Sequence, residues 1–226
     1  MGSRTHWSWK RLDPGDDLSR IVGVFDLGRE FAGRHRQALV DSVRSVGGRH
    51  GSGRVARTAA EECTDLIESQ GVLRCVRTEH EAIHMVEASS RGTAYDYGSG
   101  AYVGLHIDNE WLQGASFRNE KNRDFGVLGV NLGTVERYLL VVDRTAGQIT
   151  RDLGQPGTAP ASAERIKDEF LGRFPSHPVL QVRIEPGQGY FCNPQNLIHD
   201  GATNDSGRVD LALLVFGRFA PTAGRK

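Results

Sequence analysis

Three residues of this 226-residue chain have the types and spacing needed to hold one metal ion. They are His106 and Asp108, in Tyr102-Val-Gly-Leu-His-Ile-Asp108, and His199, in Leu197-Ile-His-Asp200. Side chains two apart on an extended strand point to the same face, so an imidazole and a carboxylate at that spacing can reach one ion. The third ligand must come from another strand. His199 follows the apolar run Val179-Leu-Gln-Val-Arg-Ile184 and the turn Glu185-Pro-Gly-Gln-Gly189, which read as strand, tight turn, strand. His-x-Asp by itself is a common chance spacing in a chain with eight histidines, so order and context must carry the assignment.

Two imidazoles and one carboxylate on one side of an ion leave the opposite positions open. That facial set suits Fe(II), with a co-substrate and dioxygen on the open side. A second metal pattern competes with it: His80-Glu81-Ala-Ile-His84 is the His-Glu-x-x-His signature of zinc proteases. Thr78 and Glu81 have capping-box spacing and predict a helix from about Glu79 to Ser90, with both histidines on one face and Glu110 as a downstream ligand. The segments after Glu110 read as short strands, however, where such a protease needs a helix. If residues 72–90 are themselves a strand, His80 and His84 stand about 13 Å apart and cannot share an ion.

The elements that must position these residues change character along the chain. Leu27, Phe31, Leu39, Val43 and Val46 fall near helical spacing, as do Ala59, Ala60, Cys63, Leu66 and Ile67, and glycines follow each set. Two N-terminal helices packed on a sheet are expected. Beyond Val72 come short apolar runs separated by turns: Tyr102 to Ile107, Phe125 to Leu132, Tyr138 to Asp143, Val179 to Ile184, Tyr190 to Cys192 and Val209 to Phe219. This is the texture of a β-sandwich or barrel. The organisation expected is one domain over 1–226, with a helical part at 1–71 and a β core at 72–220. A loop-helix insertion near 144–175 carries Ile166, Phe170, Leu171 and Phe174.

Composition limits the partners. The 28 basic and 28 acidic residues cancel, and the basic ones are scattered, so no footprint for nucleic acid or an anionic membrane is visible. A small-molecule or peptide substrate is the expectation. Cys63, Cys75 and Cys192 form no Cys-x-x-Cys pair, which fits a reduced, cytoplasmic setting. No apolar run is long enough to span a bilayer, and the first residues lack a signal-peptide core.

Several motifs occur in one order: Tyr97-Gly-x-Gly-x-Tyr102-x-x-x-His106-x-Asp108, Pro186-Gly-x-Gly189-Tyr-Phe, then His199, with Arg208 nine residues later and the strand Val209-Asp-Leu-Ala-Leu-Leu-Val215. Over roughly residues 93 to 219 this resembles the Fe(II)/2-oxoglutarate-dependent dioxygenases, notably their prolyl-hydroxylase-like branch. The resemblance implies a double-stranded β-helix, or cupin-like jelly roll, with Fe(II) held by His106, Asp108 and His199. It also implies that 2-oxoglutarate and O2 become succinate and CO2 as an unactivated C–H bond is oxidised, with hydroxylation as the default outcome. The presence of Asp108 disfavours halogenation, because related halogenases lack that carboxylate. A basic residue soon after the second His binds the far carboxylate of 2-oxoglutarate in this family, and Arg208 matches it. Asp210, where many members have Ser or Thr, would repel the co-substrate if it pointed inward. Arg137 is therefore a rival anchor, with Asn131, Tyr95 and Tyr97 as possible hydrogen-bonding partners. The charged stretch Arg118-Asn-Glu-Lys121-Asn-Arg123, after Trp111 and Phe117, is a candidate lid. The alternatives are the zinc protease and a non-enzymatic cupin-like binding domain.

Overall fold

A computed structural model describes residues 22–45, 50–51, 53–71, 73–86, 95–96, 101–102, 104–108, 124–154, 163–203 and 207–222. The described residues open with strand β1 (Gly23–Asp26), helix α1 (Gly28–Ser45), the two-residue strand β2 (His50–Gly51) and helix α2 (Arg54–Ser69). Strand β3 (Leu73–Val86) follows, then the short pair β4 (Tyr95–Asp96) and β5 (Ala101–Tyr102), β6 (Phe125–Asn131) and β7 (Arg137–Thr145). Helices α3 (Ala146–Asp152) and α4 (Ala163–Arg173) lead into β8 (Val179–Ile184), β9 (Gln188–Cys192), β10 (Leu197–Thr203) and β11 (Asp210–Pro221).

Two antiparallel sheets form the body. The larger has the order β1-β9-β6-β11-β3-β2 and the smaller β10-β7-β8. Their facing surfaces enclose Val127, Leu139, Val141, Val182, Ile184, Tyr190, Cys192 and Leu197, drawn from both sheets. Strict alternation sorts β11: Leu211, Leu213 and Val215 face the helices, while Leu214 and Phe216 pack into the space between the sheets. The structure is thus mainly β, as the strand texture led one to expect, and it is the jelly roll that the family resemblance implies, with α1 and α2 covering the large sheet. Phe31, Leu39 and Val43 of α1 and Ala56, Ala59, Ala60, Cys63 and Ile67 of α2 are buried at three- and four-residue spacings, the stripe that an amphipathic helix lays on a sheet. The Asp26 side chain accepts from Gly28 N at 2.8 Å and starts α1. Helices α3 and α4 cover the outer face of the small sheet through Ile149, Ile166 and Phe170.

Three local expectations are corrected. Residues 79–86 are strand, not helix: β3 pairs with β11 from Val86↔Asp210 to Leu73↔Pro221, and that long ladder outweighs a capping box. The N-terminal part is not only helical, because β1 joins the edge of the large sheet through Phe25↔Gly189 and its neighbours, and four residues are too few for alternation to announce them. The run from Tyr102 to Ile107 is not one strand: Gly104, at φ 68°, turns the chain, and His106 meets His199 in an isolated bridge. Within the loop-helix insertion, α3 begins at a Thr145/Gln148 capping box that the Gly- and Thr-rich composition concealed.

Candidate metal centre

His106 and His199 are bound to each other through the backbone before any side chain is considered. His106 N donates to His199 O at 2.9 Å, and His199 N donates to His106 O at 2.8 Å. Asp108 N donates to Pro194 O at 2.9 Å, which ties the His-x-Asp segment to the turn between β9 and β10. Both imidazoles then lie on one side: their ring centroids are 4.5 Å apart, and His106 Nε2 is 3.2 Å from Asp108 Oδ1. One ligand atom from each of His106, Asp108 and His199 lies within 4.8 Å of the others, and among the described residues this is the group of metal-ligating side chains so arranged.

The hydrogen bonds on the far side of each ring select a tautomer. His106 Nδ1 is 2.6 Å from Gly104 O, and His199 Nδ1 is 3.1 Å from Leu197 O, in each case the carbonyl two residues earlier. A carbonyl only accepts, so each Nδ1 carries a proton; Nε2 of the neutral His199 then presents a lone pair, and Nε2 of His106 does so once the proton it shares with Asp108 is given up to a cation. Two ligands at right angles, each about 2.1 Å from an ion, stand about 3 Å apart. The His106–Asp108 separation fits that edge, so the donor set accommodates a facially bound divalent metal.

Electrostatics agree with the geometry. Burial works against a charged His106, but the hydrogen bond and charge of Asp108, with the Gly104 carbonyl, raise its pKa above the ordinary imidazole value. Burial opposes ionisation of Asp108 too, yet His106 and His199 hold its carboxyl below the usual range. His199 is lowered, chiefly by burial. One imidazole therefore waits neutral, and the other shares its proton with a carboxylate that a cation would take over.

A second cluster lies deeper between the sheets. Arg137, at the start of β7, and Asp210, at the start of β11, have side chains only 5% exposed, and Arg137 Nη2 is 3.8 Å from Asp210 Oδ2. That is too long for a hydrogen bond. Arg137 Nε and Nη1 and Asp210 Oδ2 have no hydrogen-bond partner, although such buried groups normally do. Tyr190 was missed by the sequence reading. It stands on the inner face of β9 over Gly129, where a Cβ would fall 2.4 Å from its ring. Burial pushes its phenol up, and the charges of Cys192, Arg137, Asp108 and Asp210 act on it in addition. Only its inward parity on β9, two residues from Cys192, could have signalled this.

The other predicted site residues fall elsewhere. Arg208 is exposed on the turn before β11. Asn131 is fully buried and engaged by backbone: Nδ2 donates to Val135 O at 2.8 Å and Ile184 O at 2.9 Å, and Oδ1 accepts from Gly133 N at 2.9 Å. Its amide closes the β6–β7 turn and has no N–H left to donate to a ligand. Tyr97, Glu110, Trp111, Phe117 and the stretch 118–123 lie outside the described residues. The zinc-protease arrangement is not formed: Glu81 faces α2, with its carboxylate 3.5 Å from Arg57 Nε, while His80 stacks on Phe216 across the ladder. His80 and His84 are four residues apart on one strand, about 13 Å, and share no ion.

No protein-family model and no curated protein matches the chain by sequence. Solved structures do match in fold. The non-haem alpha-ketoglutarate-dependent carbocyclase SnoK from nogalamycin biosynthesis aligns with a TM-score of 0.54 at 12% identity, over 92% of this chain and 84% of that one. EctD from S. alaskensis with bound Fe aligns with a TM-score of 0.54 at 13% identity, over 97% of this chain and 82% of that one. The chain therefore has the jelly-roll fold found in non-haem iron, 2-oxoglutarate-dependent enzymes.

Proposed function

We propose that the protein is a non-haem Fe(II)/2-oxoglutarate-dependent oxygenase that hydroxylates an unactivated C–H bond of a small metabolite, amino acid or peptide. The observation that carries this reading is the paired orientation of His106 and His199. Each Nδ1 is satisfied by a backbone carbonyl, so both Nε2 atoms and the Asp108 carboxylate are left for one ion. His106, Asp108 and His199 would hold the iron. Bound there, iron would supply dioxygen activation coupled to oxidative decarboxylation of the 2-oxo acid.

The remaining work belongs to the chain. Arg137 is our choice for the co-substrate anchor in place of Arg208, because its unpartnered, buried N–H groups are what a carboxylate would satisfy. Four residues of β7 separate Arg137 from Val141, the register partner of His199, about 13 Å along the strand. The arginine side chain and a five-carbon dicarboxylate together span such a gap. Tyr190, protonated because it is buried, can donate a hydrogen bond to a co-substrate lying between the two clusters. Val127, Leu139, Val141 and Cys192 line the same interior with apolar surface and keep water from the bound co-substrate.

Turnover tests the proposal. Protein reconstituted with Fe(II) should form succinate from 2-oxoglutarate under air, slowly alone and faster with a true substrate among panels of amino acids, peptides and small metabolites. Absence of succinate from iron-loaded, folded protein under all these conditions refutes the oxygenase reading.

A further inference from the structure

A pocket built only to hold a dicarboxylate would end in an uncompensated cation. This one does not. Resting on the co-substrate reading above, we infer that Asp210 is a specificity-determining residue. It compensates the charge of Arg137, so the far end of the pocket accepts an uncharged hydrogen-bond acceptor on a 2-oxo acid nearly as well as a carboxylate.

Arg137 and Asp210 come from facing sheets, β7 and β11, and their side chains are buried to the same extent. At 3.8 Å the two groups are close enough to balance each other's charge, yet they form no hydrogen bond through those atoms. Of the five N–H groups of a guanidinium, the three on Nε and Nη1 have no partner. The buried pair thus offers donors without offering net positive charge. A second carboxylate brought to those donors would lie within a few ångströms of Asp210, and two carboxylates sharing a buried site oppose each other. The carbonyl of an ester or ketone takes the same N–H groups without that opposition. Two described neighbours add no charge to the pair: the Tyr190 phenol is neutral, its pKa pushed up by burial, and the Asn131 amide is committed to Val135, Ile184 and Gly133.

The test measures binding. Protein loaded with Fe(II) without oxygen is titrated with 2-oxoglutarate, with its 5-methyl ester and with 2-oxopentanoate, and the visible band of the iron-bound 2-oxo acid gives each Kd. Wild-type protein is expected to bind 2-oxoglutarate and its ester within about tenfold of each other, about 1.4 kcal/mol. Asp210→Asn keeps the size of the side chain and removes its charge; it should tighten 2-oxoglutarate by at least about tenfold and change the ester by less than about threefold. A wild-type preference for the dicarboxylate above about a hundredfold overturns the inference, as does an Asp210→Asn variant with no gain. If that variant does not fold, the wild-type comparison decides alone. A band absent with all three acids, in protein shown to hold iron, sinks the co-substrate reading itself, an outcome distinct from a strong dicarboxylate preference.

Discussion

Removing the side chain of Asn131 should cost stability and co-substrate binding while sparing the metal site. In Asn131→Ala three hydrogen bonds vanish together: Nδ2 to Ile184 O, Nδ2 to Val135 O, and Gly133 N to Oδ1. The Ile184 and Gly133 bonds are buried, and a buried backbone group left unsatisfied costs about 1–3 kcal/mol. The Val135 bond is only part-buried, and its carbonyl can recover water, adding under about 1 kcal/mol. The expected loss is roughly 2–7 kcal/mol, a large share of the 5–15 kcal/mol that holds a typical domain folded. Asn131→Asp should lose nearly as much, because it keeps the acceptor for Gly133 N but aims an anion at two carbonyls. Urea unfolding followed by circular dichroism reads both variants. The turn at 132–136 places Arg137, so the folded fraction of either should also bind 2-oxoglutarate more weakly while still taking up one Fe(II). A loss below about 1 kcal/mol with weakened 2-oxoglutarate binding would refute this reasoning and make Asn131 a ligand contact instead.

Three other outcomes follow from single features. Gly129→Ala puts a Cβ within 2.4–2.7 Å of three Tyr190 side-chain atoms, so it should destabilise by about 1–3 kcal/mol and weaken 2-oxo acid binding; an unchanged affinity would place Tyr190 outside the pocket. Cys63 and Cys192 are buried with thiol pKa values pushed up, whereas Cys75 is partly exposed, so mass spectrometry after brief alkylation of native protein should find Cys75 alone modified. The raised pKa of His106 means that a proton competes for Nε2 from above the ordinary imidazole value of about 6.5, so Fe(II) affinity should weaken as pH falls from 8 toward 6; a flat profile contradicts the proton placement.

What could be read from the sequence was what repeats or alternates. The stripes Phe31–Leu39–Val43 and Ala59–Ala60–Cys63–Ile67 announced α1 and α2, and the runs around Val127, Leu139, Val182 and Leu213 announced strands of a sandwich or barrel. His106 and Asp108 were legible as a candidate pair because side chains two apart on extended chain share a face, whereas His199 rested on its place after the turn at 185–189 and on the family resemblance. The segment 79–86 was open to misreading because Thr78 and Glu81 satisfy a local helix rule, while the strand there depends on β11, more than a hundred residues away. The anchor was ambiguous for a related reason. Arg208 and Arg137 both stand next to apolar strands, and only the assembled sheets turn Arg137 inward beside Asp210 and leave Arg208 on an exposed turn. The inward packing of Tyr190 was not legible because it depends on Gly129 of a neighbouring strand lacking a side chain.

The arrangement we propose is one iron site, formed by His106, Asp108 and His199, whose open side takes a 2-oxo acid. It is tested most directly by adding one equivalent of Fe(II) and then 2-oxoglutarate to the protein without oxygen and recording the visible spectrum. A charge-transfer band should appear in wild-type protein and in His80→Ala, and vanish in His106→Ala and His199→Ala. Loss of the band in His80→Ala with retention in His106→Ala, or no band in iron-loaded wild-type protein, contradicts the account.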